Sequence, residues 1–205
     1  MVETLEMARF RDALSLHRQW LNSQGGAGRQ LSFDGIDLRG IDLHGTDLTE
    51  GSLPGVKLDG ARLSKCDLSN ANLASASFAA ADLSDALLVK ANLDYCRMAD
   101  ARLCRAKLFR ASLFRTNLQR ADLSGADLRH AYLAETDLSN TILRGAQFEG
   151  ASIKKVRFAG ASLSGVTGIS SIRVAEIEVE IDGGNHMLTG AEARDWLNRL
   201  GGVGA

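Results

Sequence analysis

The sequence has little proline, few aromatic residues and few cysteines. Its 205 residues include one proline and three cysteines, and 5% of them are aromatic. One proline excludes a proline-rich linker, and an odd number of cysteines excludes a closed disulfide framework. The N-terminal residues lack the pattern of a signal peptide. We therefore expect a cytoplasmic protein in a reducing compartment.

Long apolar runs and a dominant charge are also missing. The 24 basic residues balance 25 acidic ones, for a net charge of −1. No run approaches the ~20 apolar residues that a membrane span needs, so we expect no membrane segment. Nucleic-acid binding is disfavoured, because the chain is not basic overall and no nucleic-acid module is recognisable.

Residue patterns that support catalysis are absent too. The four histidines, at positions 17, 44, 130 and 186, have no metal-ligand spacing. The glycines form no phosphate-binding loop. Cys104 lies beside Arg102 and Arg105, which could lower the pKa of its thiol, but no histidine is in register with it. We expect no metal, no cofactor and no catalytic residue, and therefore not an enzyme.

What the sequence does contain is a five-residue repeat in many tandem copies. Every fifth residue from Phe33 to Leu163 is apolar, and most of these central residues are leucine. The residue two positions earlier is small or apolar, and alanine is the commonest choice there. The remaining three positions are mostly polar or glycine, and the phase does not slip over residues 31–165.

A period of five fits neither an α-helix nor a flat strand, whose side-chain periods are 3.6 and 2. A chain that turns a corner once every five residues keeps every fifth leucine inside. Four corners close a coil of about 20 residues, and coils stack at strand spacing of about 4.8 Å. Glycine often stands two residues after the central leucine, for example at Gly60 and Gly125, where a turn requires positive φ. The spacing predicts an all-β solenoid of about seven coils, ~32 Å long.

Segments such as ADLSDALLVKANLDY (81–95) resemble the A(D/N)LXX repeat of the pentapeptide repeat proteins. The resemblance covers residues 31–165. It implies a right-handed quadrilateral β-helix, with the hand supplied by the family and not by the spacing. Most members of this family have no assigned chemistry, which agrees with a non-catalytic protein.

The two ends of a solenoid need caps, because they expose apolar surface and unpaired backbone. An amphipathic pattern predicts a capping helix over residues 4–22, followed by a glycine-rich connector to residue 30. Residues 166–205 predict a strand at 172–181, a turn at 182–185 and a helix at 190–200. The apolar side of that last helix would cap the coil or form a dimer seam through Trp196, Leu197 and Leu200.

Charge is uneven along the predicted rod. Residues 31–87 carry 9 acidic and 4 basic side chains, whereas residues 88–130 carry 9 basic and 4 acidic ones. If neighbours are one coil apart, Asp42, Arg62, Asp82, Arg102 and Asp122 form a column of alternating sign. This column is typical of a solvated face that supports the register.

Apolar and aromatic residues occupy outward positions within the basic stretch. Together with nearby basic residues they form the candidate partner-binding set: Leu87, Val89, Lys90, Tyr95, Arg97, Phe109, Arg110, Phe114 and Arg115. Exposed apolar groups surrounded by arginine are typical of a protein-binding surface. The alternative is that neighbouring aromatic and β-branched residues only stiffen the sheet.

Two functions remain open at this point. The first is a non-catalytic scaffold that binds a protein partner, with a possible homodimer. The second, implied by the resemblance, is a protein that binds DNA gyrase by mimicking DNA. The near-neutral charge and the basic middle of the rod disfavour the second, since mimicry needs phosphate-like negative charge. An enzymatic or ligand-binding role for residues 166–205 ranks last, because this segment is too short for an independent core.

Overall fold

The structure is a computed structural model that describes residues 5–201, with side chains through residue 199. Two helices enclose a long β-structured middle. The elements are α1 (Leu5–Asn22), β1 (Tyr132–Ala134), β2 (Ser152–Lys154), β3 (Val156–Arg157), a short 3-10 helix (Ile169–Ser171), β4 (Arg173–Val174), β5 (Glu176–Ile181), β6 (Gly184–Thr189) and α2 (Gly190–Gly201).

The chain from Ser32 to Thr167 forms a four-sided coil in which each side pairs with the same side of the next coil. On each of the four sides the outward residues of successive coils form a column along the coil axis. We number the four sides in the order in which the chain passes through them. Side 1 begins Ser32↔Ser52, side 2 Asp37↔Lys57, side 3 Asp42↔Arg62 and side 4 Asp47↔Asp67. Corners 1 to 4 follow the sides of the same number. The predicted four-sided β-helix is confirmed; the predicted count of about seven coils stays a prediction.

The inside of the coil is filled by the residues of the repeat. Central leucines such as Leu103 and Leu123 are fully buried, and so are the alanines two positions before them. Each outward side chain stands between these two inward ones on a three-residue side, so the five-residue period separates inside from outside. Full burial of each leucine contributes about 1.5–3 kcal/mol.

The corners share one backbone conformation. The residue two positions after the central leucine has positive φ whether it is glycine, as at Gly60 (64°), or not, as at Lys65 (60°) and Arg115 (54°). The backbone N–H of the next residue donates to the carbonyl of the central residue, as Ala61 does to Leu58 at 3.0 Å. Glycine is therefore favoured at this position, but the stacked coils hold other residues in the same conformation.

Aspartate and asparagine before the central leucine hold these corners in place. Their side-chain oxygen accepts the backbone N–H two residues later, as Asp67 does from Ser69 at 2.9 Å and Asn92 from Asp94 at 3.0 Å. This local side-chain bond is an Asx turn. It explains why aspartate is the commonest residue at this position of the repeat.

α1 covers the N-terminal end of the coil, as predicted; residue 4, the predicted start of this helix, lies outside the described residues. Phe10 is fully buried, and its ring lies 5.5 Å from that of Phe33. His17 is also fully buried, and its Nδ1 accepts the backbone N–H of Leu31 at 3.1 Å. The connector passes close to the helix at Gly28 (φ 74°), where a Cβ atom would overlap the carbonyl oxygen of Leu16.

The C-terminal end departs from the repeat. Parallel pairing continues beyond Gly165, but paired residues there are one position further apart in the sequence than in the repeat. Examples are Ser152↔Arg173 and Val156↔Ile177. The short 3-10 helix at Ile169–Ser171 accommodates the extra residue. The predicted strand at 172–181 is present as β4 and β5, separated at Ala175. The predicted division into segments at residues 30 and 165 stays a prediction.

β6 is an element that the sequence did not predict. After a turn at Asp182 and Gly183, residues 184–189 pair antiparallel with β5. Gly184 and Asn185, predicted to belong to the turn, are the first residues of this strand. The segment GNHMLT lacks a clear strand pattern. Its pairing with β5, and not its own propensity, therefore makes it a strand.

Candidate interaction surface

Two aromatic clusters lie on either side of side 1. The first, at corner 4, contains Phe109 with Arg110, Arg129 and His130, and we call it the Phe109 cluster. The second contains Tyr95, Phe114 and Arg115 at corner 1 and Tyr132 in the adjoining column of side 1, and we call it the Phe114 cluster. A side is three residues wide, or about 10 Å, so the two clusters and side 1 between them form one continuous surface.

The Phe109 cluster combines one phenyl ring with two guanidinium groups and an imidazole. The His130 imidazole meets the Phe109 ring edge-on, with centroids 5.4 Å apart at 82°. The guanidinium groups of Arg110 and Arg129 lie 5.2 and 5.8 Å from the centroid of the same ring. Such cation–π contacts hold both arginines at defined positions. Arg129 also binds the Asp127 carboxylate, whereas the N–H groups of Arg110 remain available.

The Phe114 cluster is a stack of three rings over successive coils. Phe114 meets Tyr95 edge-on at 5.3 Å and Tyr132 in a stacked arrangement at 6.4 Å. Arg115 lies 5.0 Å from the centroid of Phe114 and forms an ion pair of 2.6 Å with Glu135. Tyr95 and Tyr132 are about half exposed, at 49% and 44%. The cluster is therefore ordered and still accessible.

The strip between the clusters is small and polar. Its outward residues include Asn92 and Ser112. Asp94 at corner 1 accepts a hydrogen bond from the Ser112 hydroxyl and another from the backbone N–H of Phe114 at 3.0 Å. A carboxylate thus fixes the backbone from which the Phe114 ring projects.

The structure brings together most of the predicted partner-binding residues. Five of them lie at or next to corner 4, namely Leu87, Val89, Lys90, Phe109 and Arg110. The Lys90 N–H donates to the Phe109 carbonyl at 2.9 Å and joins the two coils there.

Tyr95, Phe114 and Arg115 lie together at corner 1. Arg97 does not join either cluster, because it stands in the column of side 2 between Ser77 and Asn117. His130, Arg129 and Tyr132 were not among the predicted site residues. The register of the coils would have placed Arg129 above Phe109 and His130 above Arg110.

The column of alternating charge on side 3 is present. Bridges join Asp42, Arg62, Asp82, Arg102 and Asp122 in that order. Arg62 and Asp42 form an ion pair of 2.7 Å with both side chains more than half exposed. Exposed pairs of this kind contribute little free energy, ~0–1 kcal/mol.

The cysteines are not activated. Burial raises the pKa of the Cys66 thiol to about 11 and that of the Cys96 thiol to about 12. The hypothesis of a lowered pKa at Cys104 is wrong: burial and a hydrogen bond with Asp122 raise it to about 11, and Arg102 and Arg105 do not compensate. A thiol in this state is a poor nucleophile.

Metal-binding clusters and membrane-spanning helices are both absent from the part of the chain that the structure describes. Residues 5–201 contain no group of three or more histidine, cysteine or acidic side chains able to hold a metal ion. Neither described helix has both the length and the apolar character needed to cross a membrane.

The predicted residues of the C-terminal helix lie at the end of the coil. Leu197 is 2% exposed, and the Trp196 ring lies 6.1 Å from that of Phe158. The side chain of Leu200 lies outside those that the structure describes. These contacts make α2 a cover for the apolar end of the coil, and its pairing with a second copy stays a prediction.

Comparison with known proteins agrees with this architecture. The family model for pentapeptide repeats matches in 8 copies over residues 31–64, 71–108, 106–145 and 131–167. A search of the curated proteins gives no match.

Solved structures show the same likeness. A trypsin-treated variant of QnrB1, a plasmid-mediated fluoroquinolone resistance protein, superposes with a TM-score of 0.65 at 21% identity, over 71% of this chain and 73% of that chain. A pentapeptide repeat protein from the thylakoid lumen of Arabidopsis thaliana has a TM-score of 0.45 at 26% identity, over 58% of this chain and 72% of that one. The likeness to QnrB1 shows a shared fold.

Proposed function

The chain belongs to the pentapeptide repeat family, and from that premise we propose that it is a non-catalytic scaffold that binds a protein partner through the surface formed by the Phe109 cluster, side 1 and the Phe114 cluster.

One observation carries this proposal: ordered aromatic rings and arginines stand exposed on a rigid backbone. Tyr95 and Tyr132 expose about half of their surface although each contacts or approaches Phe114. Tyrosine and arginine, like tryptophan, are enriched at the energetic centre of protein interfaces. Because the coils already fix these side chains, binding would cost little conformational entropy.

The filled interior supports a role without catalysis. The enclosed space at the C-terminal end of the coil, between Phe148, Phe158 and Leu197, has a volume of about 10 Å³. That volume holds about one water molecule and no substrate. Recognition is therefore assigned to the outer sides.

The proposal includes a cytoplasmic setting and a homodimer through α2. Light scattering at low and high salt tests the dimer. Contact through the apolar residues of α2 predicts a dimer that persists at high salt, whereas contact between the acidic and basic parts of the rod predicts one that dissociates.

DNA mimicry at DNA gyrase has less support as an alternative function. A mimic needs continuous negative charge, but the stretch from Lys90 to Arg129 carries more basic than acidic side chains. A gyrase supercoiling assay, with and without a quinolone, tests this alternative; protection of the enzyme at micromolar protein would favour it.

The scaffold proposal is tested by removing apolar surface at two matched places. The double variant Val89→Ser/Phe109→Ser alters the candidate surface, and Ile142→Ser alters an exposed apolar residue (43%) on side 3. We expect a partner captured from native lysate to bind the double variant at least about tenfold more weakly, a loss of ~1.4 kcal/mol, and to bind Ile142→Ser normally. Equal binding by all three proteins with intact folds would mean that the aromatic residues only stiffen the sheet.

A further inference from the structure

We propose that the corner 4 part of the surface binds an acidic segment of the partner, one that places carboxylates beside an apolar side chain. This inference rests on the proposed function and adds the chemistry of the partner. The corner 4 patch comprises Leu87, Val89, Lys90, Lys107, Phe109 and Arg110.

Many arginines of the basic stretch are neutralised within the chain. Arg105 pairs with Asp85 and Arg120 with Asp100, each through two hydrogen bonds and at 2.7 Å. Arg115 pairs with Glu135 at 2.6 Å. These cations lie at corners 1, 2 and 3, and each already has its carboxylate, so they offer little attraction to a partner.

The cations of the corner 4 patch are different. Among the described residues, Lys90, Lys107 and Arg110 are exposed and take part in none of the ion pairs. Asp127 is the neighbour of Lys107 on side 4, but Arg129 already binds both of its oxygens at 2.8 and 2.7 Å. The patch therefore has unsatisfied positive charge, which a partner's carboxylates would complement.

These cations stand next to accessible apolar surface. Leu87 is 39% exposed and bridges to Lys107 on side 4. Arg110 lies 5.2 Å from the centroid of Phe109, one coil above Lys90. A guanidinium held over a ring can bind a carboxylate through its N–H groups while the apolar surface around it takes an apolar side chain.

The patch is short along the coil axis. Asp67 on side 4 lies one coil below Leu87, and Glu149 at corner 4 lies one coil above Arg129. Coils are about 4.8 Å apart, so the patch is ~10 Å long. An extended polyanion such as a nucleic acid would meet these carboxylates at both ends, whereas a short acidic protein segment would not.

Side chains are favoured as the recognition elements, because most of the backbone N–H groups at the patch already have partners within the coil. The N–H groups of Leu87, Lys90 and Arg110 donate to carbonyls of neighbouring coils at 2.9, 2.9 and 3.0 Å. A partner strand would therefore find few backbone donors on this surface with which to pair.

The test measures binding of three labelled probes by fluorescence polarisation. They are a peptide of alternating glutamate pairs and phenylalanines, the same peptide with glutamine for glutamate, and single-stranded oligothymidine. Charge reversal at the patch, Lys90→Glu/Arg110→Glu, is compared with Lys57→Glu/Arg144→Glu. The second variant makes the same charge change at an exposed lysine on side 2 and an exposed arginine at corner 3, both outside the candidate partner-binding set.

We expect the glutamate peptide to bind the wild type and to bind Lys90→Glu/Arg110→Glu at least about tenfold more weakly, a loss of ~1.4 kcal/mol. Binding to Lys57→Glu/Arg144→Glu should change less than about twofold, and raised salt should weaken binding to the wild type. If Lys90→Glu/Arg110→Glu does not fold, Lys90→Gln/Arg110→Gln takes its place.

Three results would overturn the inference. They are no binding of the glutamate peptide to the wild type, an equal loss in both charge-reversed variants, and tighter binding of oligothymidine than of the peptide. Binding of the partner captured from lysate distinguishes a failure of this inference from a failure of the proposed function. A partner lost by Val89→Ser/Phe109→Ser but kept by Lys90→Glu/Arg110→Glu would leave the scaffold function standing and remove the acidic segment.

Discussion

Inward positions of the repeat accept a polar group only where a carbonyl is in reach. Cys66 donates its thiol proton to the carbonyl of Leu43, and Thr116 and Thr136 donate their hydroxyls to the carbonyls of Leu93 and Leu113 at 2.7 Å. A buried polar group without such a partner would cost about 1–3 kcal/mol. This is why threonine and cysteine can replace alanine inside the coil.

A charge on the coil axis has no such partner. We expect Leu103→Asp, at a fully buried position, to lose at least ~3 kcal/mol of unfolding free energy, because it removes apolar burial and adds an unpaired charge. Asn117→Asp adds the same charge at an outward position between Arg97 and Asp137 and should change stability by less than ~0.5 kcal/mol. Urea unfolding compares them, and equal midpoints would contradict the assignment of inside and outside.

The Asx turns give a second prediction for single residues. Asp67→Ala removes the acceptor for the Ser69 N–H and should cost about 1 kcal/mol. Asp67→Asn keeps an acceptor and removes the like charge beside Asp47, so it should be as stable as the wild type or more so. Thermal unfolding of the three proteins decides, and a stable alanine variant would show that the corners do not need this bond.

His17 makes the N-terminal cap sensitive to pH. Burial lowers the pKa of its imidazole, and the Thr49 backbone, Asp47 and Glu50 oppose this shift only in part. The unfolded chain then binds more protons than the folded one below the ordinary histidine pKa of about 6.5. Stability is therefore complete above that pH and falls as the pH decreases through it.

The variant His17→Asn tests this assignment. Its Oδ1 can accept the Leu31 N–H in place of Nδ1 without titrating. We expect its urea midpoint to depend less on pH than that of the wild type between about pH 7.5 and about pH 5.5. Parallel profiles for the two proteins would assign the pH dependence to other groups.

At the scale of elements, α1 covers the end of the coil with two buried rings, those of Phe10 and His17, and Phe10 is the apolar one. Phe10→Ala should cost about 3–5 kcal/mol, as large-to-small changes at buried aromatic positions do, and should expose the apolar end of the coil to self-association. Leu5→Ala, on the same helix but 76% exposed, should have little effect. Chemical unfolding and light scattering give the two readouts. A Phe10→Ala variant as stable as Leu5→Ala would mean that α1 is not a cap.

The C-terminal elements show how an end differs from the repeat. β5 stacks on β3 in parallel, whereas β6 reverses direction and pairs antiparallel. Because β6 runs antiparallel to β5, it does not continue the stacking of parallel coils. α2 then covers the apolar end of the coil with Ala193 and Leu197, both of which are buried. The two ends of the rod thus use different covers for the same physical need.

At the scale of the whole molecule, stability should decrease from the middle towards the ends. A middle coil has neighbours on both sides, whereas an end coil has one neighbour and a cap. We expect backbone amides between Leu88 and Leu128 to exchange with deuterium at least about tenfold more slowly than those of β6, a difference of ~1.4 kcal/mol in opening free energy. Uniform protection would show that the rod opens as one cooperative unit.

The sequence by itself determined the coil and which residues face in or out. Apolar residues recur every five positions from Phe33 to Leu163. Only a backbone that turns once every five residues buries all of these side chains, and their removal from water favours that path. The same period predicted that Leu87, Val89 and Phe109 lie close together. It also predicted the terminal helices, since their apolar stripes and capping residues are local signals.

Only the tertiary structure decided which cations are free and which rings touch. Pairing of Arg105 with Asp85, and its absence at Lys90 and Arg110, depends on rotamers and on neighbours one coil away. The raised pKa of Cys104, the longer register after Thr167 and the strand β6 also arise from packing between distant segments. Local propensity fixes a periodic coil, but charge balance at a surface is set by contacts that the chain makes only after it has folded.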